Sequence, residues 1–257
     1  MPDYCWSTSV PYGISYTVMY VSWFFFVVSL SLASSSIMAC KKAQNKPEWE
    51  NLMLAQLWPP TFCMSQKDLH SRACNPANLT KWIIHGLWPI KDIPGHVTDC
   101  LPQQTFDSAK IKDIEKDLNR TWPCLVTSLP YTWIWQHEWC EHGSCAQVSP
   151  ELQGEAKYFR KTIDLHNNFS IDMALKSASI IPGNDYYLSN ITNAIYDTFK
   201  VYPDVMCTSV QGKRFLSEIR ICFEKDFTLR KRCYSSNQMT FENDFNCSTK
   251  YPINYPK

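Results

Sequence analysis

Trp135-Gln136-His137-Glu138-Trp139-Cys140-Glu141-His142-Gly143-Ser144-Cys145 gathers two imidazoles, two carboxylates and two thiols into eleven residues. A partner stretch, Trp82-Ile83-Ile84-His85-Gly86-Leu87-Trp88-Pro89, lies about fifty residues upstream. Each contains a His followed directly by Gly beside bulky aromatics, and neither follows ordinary core patterning. We read them as two halves of one acid–base site.

Three chemistries compete for these residues. His137-Glu138-Trp139-Cys140-Glu141-His142 nearly spells the His-Glu-x-x-His zinc signature, with one residue too many between the imidazoles. On an α-helix that extra residue swings the second ring about 100° off the shared face, so no metal site is expected. A thiol nucleophile at Cys140 or Cys145 would need a reduced cysteine, and the chain's cysteine usage points to disulfides. The remaining reading is a metal-free pair of imidazoles. Because histidine titrates near neutrality, one ring can accept a proton while the other donates one. RNA transphosphorylation suits such a pair: the 2′-OH attacks its own phosphate and the 5′-oxygen leaves with a proton. DNA has no 2′-OH and cannot react this way. The neighbouring aromatics offer stacking surfaces for bases.

The bulk composition agrees with a folded protein of the secretory route. The 257 residues carry 45% hydrophobic and 19% charged side chains, enough for a sizeable core and unlike a disordered chain. A formal net charge of +1 excludes a strongly basic, non-specific nucleic-acid binder. There are 12 cysteines and no Cys-x-x-Cys pair. Sequons stand at Asn78, Asn119, Asn168, Asn190 and Asn246, candidate glycosylation sites that accord with secretion. Tyr20 to Leu32 is an apolar run followed by small residues, as in a signal peptide cleaved near Ser35 to Ala39. The preceding segment lacks Lys and Arg, and initiation at Met19 would give a more ordinary signal. An uncleaved anchor is the alternative, although the run is short for a full span. We therefore take 1–39 as a signal region and 40–257 as one domain, with ten cysteines from Cys63 onward.

Along the mature chain, Leu52 to Trp58 reads as a core strand ended by Pro59 and Pro60, with Cys63 and Cys74 bracketing a polar loop. Trp82 to Leu87 reads as a second buried strand closed by Pro89. Phe106 to Leu118 has helical periodicity. Ser149-Pro150-Glu151 reads as a helix start, continued by Leu152, Ala156, Phe159 and Ile163. Ser170 and Ser189 are candidate caps of two further helices. Ile219, Ile221 and Phe223 alternate with Arg220, as on a strand. Strands and helices intermingle without a βαβ rhythm, which indicates α+β. The segment from Tyr251 to Pro256 is expected to lie extended over the surface.

His85-Gly86-Leu87-Trp88-Pro89 and His137-Glu138-Trp139-x-x-His142-Gly143-x-Cys145 closely resemble the two active-site segments of the ribonuclease T2 family. Gln56-x-Trp58-Pro59 resembles its first core strand, and the resemblance covers about residues 52–252. It implies an α+β domain with a central, mostly antiparallel sheet, flanking helices and disulfide staples. It also implies cleavage of single-stranded RNA through a 2′,3′-cyclic phosphate by a monomeric enzyme, with no cofactor, metal or DNA substrate. Membrane contact is expected only if the N-terminal segment stays uncleaved. The family roles make His142 general base, His85 general acid and Glu138 the residue that orients or polarises the phosphate site. His137 would contact phosphate, while Trp88 and Gln56 would line the base and phosphate sites. Family-like bridges are Cys63–Cys74, Cys100–Cys145, Cys207–Cys247 and Cys222–Cys233, and the two left over suggest Cys124–Cys140. One departure stands out. The family has Lys directly before its second catalytic His, and this chain has Glu141. A carboxylate there would repel the developing phosphorane unless another cation compensates, Lys91 being the candidate by its proximity to His85 in sequence. Glu141 favours the alternative, a secreted glycoprotein whose ribonuclease fold mainly binds RNA or a partner with little or no catalysis, while His85, Glu138 and His142 favour the enzyme. Secretion or an endolysosomal lumen is the expected destination.

Overall fold

In the computed structural model, β1 (Asn51–Leu57) is buried along its whole length, as an apolar interior strand must be. The structure describes residues 48–70, 72–75, 79–92, 97–98, 100, 106–234 and 247–257; the expected signal region and the sequons at Asn78 and Asn246 lie outside them. β1 pairs antiparallel with β2 (Ile83–Ile90) on one side and with β5 (Lys213–Phe223) on the other. β2 is an edge strand, which is why it tolerates Pro89 within its length rather than ending there. β4 (Asp204–Val210) joins β5 through Gln211 and Gly212, both at positive φ (50° and 77°), the geometry of a two-residue hairpin.

The segment expected on the surface enters the sheet instead. β6 (Ile253–Tyr255) lies parallel to β5 and antiparallel to β3 (Asn184–Tyr186). The cause is aromatic packing. The Tyr255 ring lies 4.8 Å from that of Trp58 and 6.1 Å from that of Trp82, and the Trp82 indole N–H donates to the Tyr255 hydroxyl at 2.8 Å. Trp58 similarly donates to the Pro256 carbonyl at 2.9 Å.

Several helices begin elsewhere than the sequence suggests. The prolines that end β1 open α1 (Pro59–His70), so Cys63 sits on a helix and not in a loop. The Phe106–Leu118 pattern resolves into a 3₁₀ turn, Ser108–Ile114, capped by Asp107, followed by α2 (Glu115–Thr121). The helix expected from Ser149 breaks at Gly154, whose φ of 83° separates a 3₁₀ turn (Pro150–Leu152) from α5 (Glu155–Asn168). Between them α3 (Trp133–Glu138) runs into a π turn (Trp139–Gly143) and a short α4 (Ser144–Ala146). Ser170 caps α6 (Ile171–Ser177) as expected. α7 (Leu188–Phe199) starts one residue before Ser189, and the Asn190 carboxamide accepts the Tyr187 N–H there.

The two sheet faces carry different duties. Leu52, Leu54, Ile84, Leu87, Ile219, Ile221 and Phe223 pack with Tyr158, Phe159 and Ile163 of α5 into the main core. The opposite face holds a smaller cluster of Met53, Ala55, Trp88, Ile90 and the Cys222 and Cys233 sulfurs. Bridges join Cys63–Cys74, Cys100–Cys145, Cys207–Cys247 and Cys222–Cys233. The expected Cys124–Cys140 bridge does not form. Backbone bonds from Asn75 to Leu125 and from Thr127 to Ala73 hold the Cys124 segment against the Cys74 loop, and the Cys124 sulfur donates to the Val126 carbonyl. Cys140 is itself disulfide-bonded, but not to Cys124. Among the described residues, no helix is long and apolar enough to cross a membrane.

Candidate active site

The β1–β2 register passes from Ala55↔Gly86 to Gln56↔Ile84, so His85 is the extra residue of a β-bulge. A bulge breaks the alternation and re-aims a side chain. Its carbonyl, displaced from the ladder, accepts the Trp122 indole N–H at 2.9 Å, and the Trp122 carbonyl in turn accepts that of Trp135 at 2.7 Å. The His85 ring meets β5, where Nδ1 lies 2.5 Å from Glu218 Oε2. Glu218 and Arg220, two residues apart on one strand, share a face. Arg220 Nε donates to Glu218 Oε1, and its guanidinium lies 5.2 Å from the Trp88 ring centroid.

The second segment arrives from α3 and the π turn, a rare helical form concentrated at functional sites. It meets the first around one indole. Trp88 Nε1 donates to Glu138 Oε2 at 2.9 Å; the His85 ring stands 5.0 Å from the Trp88 centroid and the His142 ring 5.4 Å. Trp88, Glu138 and His142 are all fully buried. The two His-Gly pairs have a steric cause. A Cβ on Gly86 would lie 2.0 Å from Trp88 Nε1 and 2.2 Å from Glu138 Oε2, and one on Gly143 would lie 2.4 Å from the Trp139 ring.

Charge is distributed unevenly over the site. Burial acts to lower the His85 pKa, but the Glu218 carboxylate outweighs it and lifts the imidazole above its ordinary value. Burial acts to raise Glu218, yet the Arg220 guanidinium and then His85 hold it down to about 2. For Glu138 burial wins. It pushes the carboxyl up to about 8 although the His85 charge and the Trp88 N–H act to lower it, and the charges of Glu218 and Glu141 add smaller raising contributions. One carboxyl is thus fixed as an anion and the other kept as a neutral acid through the acidic and neutral range.

Of the other expected site residues, Trp88 is the centre of this cluster and Gln56 lies outside it. Gln56 is fully buried on the helix face of the sheet, its amide donating to the Phe169 carbonyl and its oxygen 2.8 Å from His166 Nδ1, so it does not line the cleft. Trp88 offers no free face to a base, because its ring is enclosed by His85, His142 and Arg220. His137 stacks on Trp133 with centroids 5.0 Å apart, half-buried. Lys91 lines a cleft with Glu48, Trp49, Glu50 and Lys225, six residues along β2 and beyond from His85, roughly 20 Å in an extended chain. The nearer cation is Arg220. Neither Glu218 nor Arg220 figured in the sequence-based site. Their signal was a Glu-x-Arg pair alternating with Ile219, Ile221 and Phe223 on the same strand. Beside His85 an apolar cleft opens, lined by Leu57, Phe62, Ile83, Pro123 and Leu125. No group of three or more His, Cys, Asp or Glu among the described residues is placed to hold a metal ion.

The disulfide-stapled α+β scaffold assembles two imidazoles and a neutral carboxylic acid around a buried indole, a set of groups able to exchange protons. Comparison with known proteins identifies the family. Residues 49–247 match the model of the Ribonuclease T2 family, and the chain belongs to that family. It is 30% identical to ribonuclease T2 of Danio rerio over 248 residues, covering 89% of this chain and 97% of the relative. Identity to the extracellular ribonuclease LE of Solanum lycopersicum is 30%, covering 76% of this chain and 86% of that one. The crystal structure of human RNase T2 superposes with a TM-score of 0.65 at 27% identity, over 81% of this chain and 98% of that one. Ribonuclease MC1 from bitter gourd seeds gives 0.64 at 27%, over 72% and 95%. The protein is a T2-type endoribonuclease that acts on RNA.

Proposed function

We propose that the chain cleaves single-stranded RNA by metal-free transphosphorylation. His142 accepts the 2′-OH proton as O2′ attacks phosphorus. His85 gives its proton to the departing O5′, leaving a 2′,3′-cyclic phosphate and a 5′-hydroxyl. Glu138, neutral below about pH 8, donates a hydrogen bond to a phosphate oxygen where a carboxylate would repel it. The observation that carries the reading is the convergence of His85, Glu138 and His142 on Trp88. His137 beside Trp133 supplies a phosphate and base contact at the rim. Glu141 attenuates the reaction. It stands beside His142 in the π turn, and loss of one cationic donor of about 3 kcal/mol slows cleavage roughly a hundredfold. We further propose a monomeric glycoprotein of the secretory pathway, residues 40–257 after removal of 1–39, bound for the outside of the cell or an endolysosomal lumen. Asn119, Asn168 and Asn190 are exposed, as acceptors must be.

The test is cleavage of a fluorescent RNA oligonucleotide from pH 4 to 8 in EDTA. The expected profile is bell-shaped with its maximum on the acid side. His85→Ala abolishes cleavage and Glu141→Lys accelerates it about a hundredfold. Loss of activity in EDTA, or a profile flat across this range, would defeat the mechanism. Silence of the wild type with activity in Glu141→Lys would assign the natural chain to RNA binding.

A further inference from the structure

Glu218 belongs to neither His-Gly segment, yet it makes the shortest contact that His85 has to another side chain among those described. It is 5% exposed, and a carboxylate buried without partners would cost several kcal/mol. Both of its oxygens are engaged: Oε1 by Arg220 Nε and Oε2 by His85 Nδ1. A pair whose duty was only to join neighbouring residues of β5 would not need the second contact, which crosses from β5 past β1 to the bulge on β2.

We propose that Glu218 is a positioning residue for the general acid His85, and that Arg220 holds the Glu218 carboxylate in place. The inference rests on the reading of His85 given above. With Nδ1–H bound to Glu218, the tautomer and ring plane are fixed and the transferable proton sits on Nε2. When the P–O5′ bond breaks, that proton passes to O5′ and the ring is left neutral, its Nδ1–H still on the carboxylate. The charged and titratable groups facing His85 are Glu218 and Arg220 from β5 and Glu138 from α3. Of these, Glu218 is the anion that keeps the imidazole charged before transfer. The bulge explains why such a support is required: a residue outside the regular ladder has no backbone register to fix its side chain.

Leaving-group dependence separates positioning of an acid from mere support of the fold. The dinucleotide UpA expels an alkoxide that must be protonated, whereas uridine 3′-(4-nitrophenyl phosphate) expels a stable phenolate. His85→Ala should lose at least a hundredfold more on the dinucleotide than on the aryl ester. Equal losses would overturn the assignment of His85 and this inference with it. Given that control, Glu218→Gln should lose about ten- to hundredfold on the dinucleotide and only a few-fold on the ester. Equal losses on both substrates, or none on either, would overturn the role of Glu218 while leaving that of His85 intact. Should Glu218→Gln fail to fold, imidazole NMR of the wild type decides, with the His85 signal assigned by its absence in His85→Ala. A strongly deshielded Nδ1 proton and a ring still protonated above pH 6.5 are expected. A ring titrating at or below 6.5 without that proton would overturn the inference.

Discussion

At Gly86 the site tolerates only a hydrogen, because Trp88 Nε1 and Glu138 Oε2 already fill the space of a Cβ. Gly86→Ala must break the indole–carboxyl bond and leave two buried polar atoms unpaired, costing about 1–3 kcal/mol, and overpacking adds about as much. We expect urea midpoints to fall accordingly and cleavage to drop at least tenfold, since Glu138 loses its anchor. A variant as stable and active as wild type would show that Trp88 does not organise the site. Glu141 acts through the same carboxyl, its charge being one of the causes that keep Glu138 protonated. In the proposed mechanism, the residue that departs from the family pattern would oppose the phosphorane while its charge helps to keep Glu138 a neutral acid.

At the scale of elements, β5 is pinned beneath Trp88 by the Cys222–Cys233 bridge, buried with Met53, Ala55 and Ile90. The segment it closes also carries Arg230, which reaches Asn51 at 2.6 Å and Asp92 at 2.7 Å. Replacing both cysteines by alanine should lower stability by about 2–4 kcal/mol in denaturant melts, and an unchanged midpoint would leave the bridge without a stabilising role. The same elements show what sequence could and could not reveal. β1, β2 and β5 were legible because apolar runs and alternation are local signals, and the two His-Gly segments because their chemistry is compressed into a few residues. Glu218 was not, since its meaning depends on a pairing register and a bulge that no local pattern encodes. β6 was hidden for a related reason: its burial depends on Trp58 and Trp82, nearly two hundred residues away. Trp88 looked like a base platform because its type was legible and its enclosure was not. Gln56 failed in the same way, its amide claimed by His166 and Phe169 of a helical region far along the chain.

For the whole molecule, the buried ionisable groups set an acid-leaning stability. Glu138 is raised to about 8, and Asp172 and Asp204, both desolvated, to about 6. Carboxyls with raised pKa values favour the folded state most at low pH and lose that contribution as pH climbs. His85, raised by Glu218, likewise contributes below 6.5 and loses its contribution as pH rises through its folded value. His166 opposes them. Burial lowers it to about 4, so its contribution is full above 6.5 and declines as pH falls toward 4. Glu218, held at about 2, withdraws its contribution only as pH drops below the ordinary carboxylate range. Between pH 6.5 and 8, Glu138 and His85 act in one direction without opposition from His166. Glu138 alone is worth about 2 kcal/mol over that span, or roughly 4–8 °C in Tm. From about pH 4.5 to 6 the losses of Glu138, Asp172 and Asp204 outweigh the gain of His166. Thermal melts should therefore peak near pH 4 and fall toward pH 8, the fall being reduced in Glu138→Gln; a Tm that rises from pH 6 to 8 would contradict this assignment. The placement of Trp88 has one more consequence. A charged imidazole quenches indole emission more strongly than a neutral one, and this indole has a histidine ring within 5.0 Å on one side and 5.4 Å on another. The difference in ultraviolet fluorescence between wild type and Trp88→Phe thus turns the tryptophan at the centre of the site into an optical gauge of its proton inventory, readable without substrate.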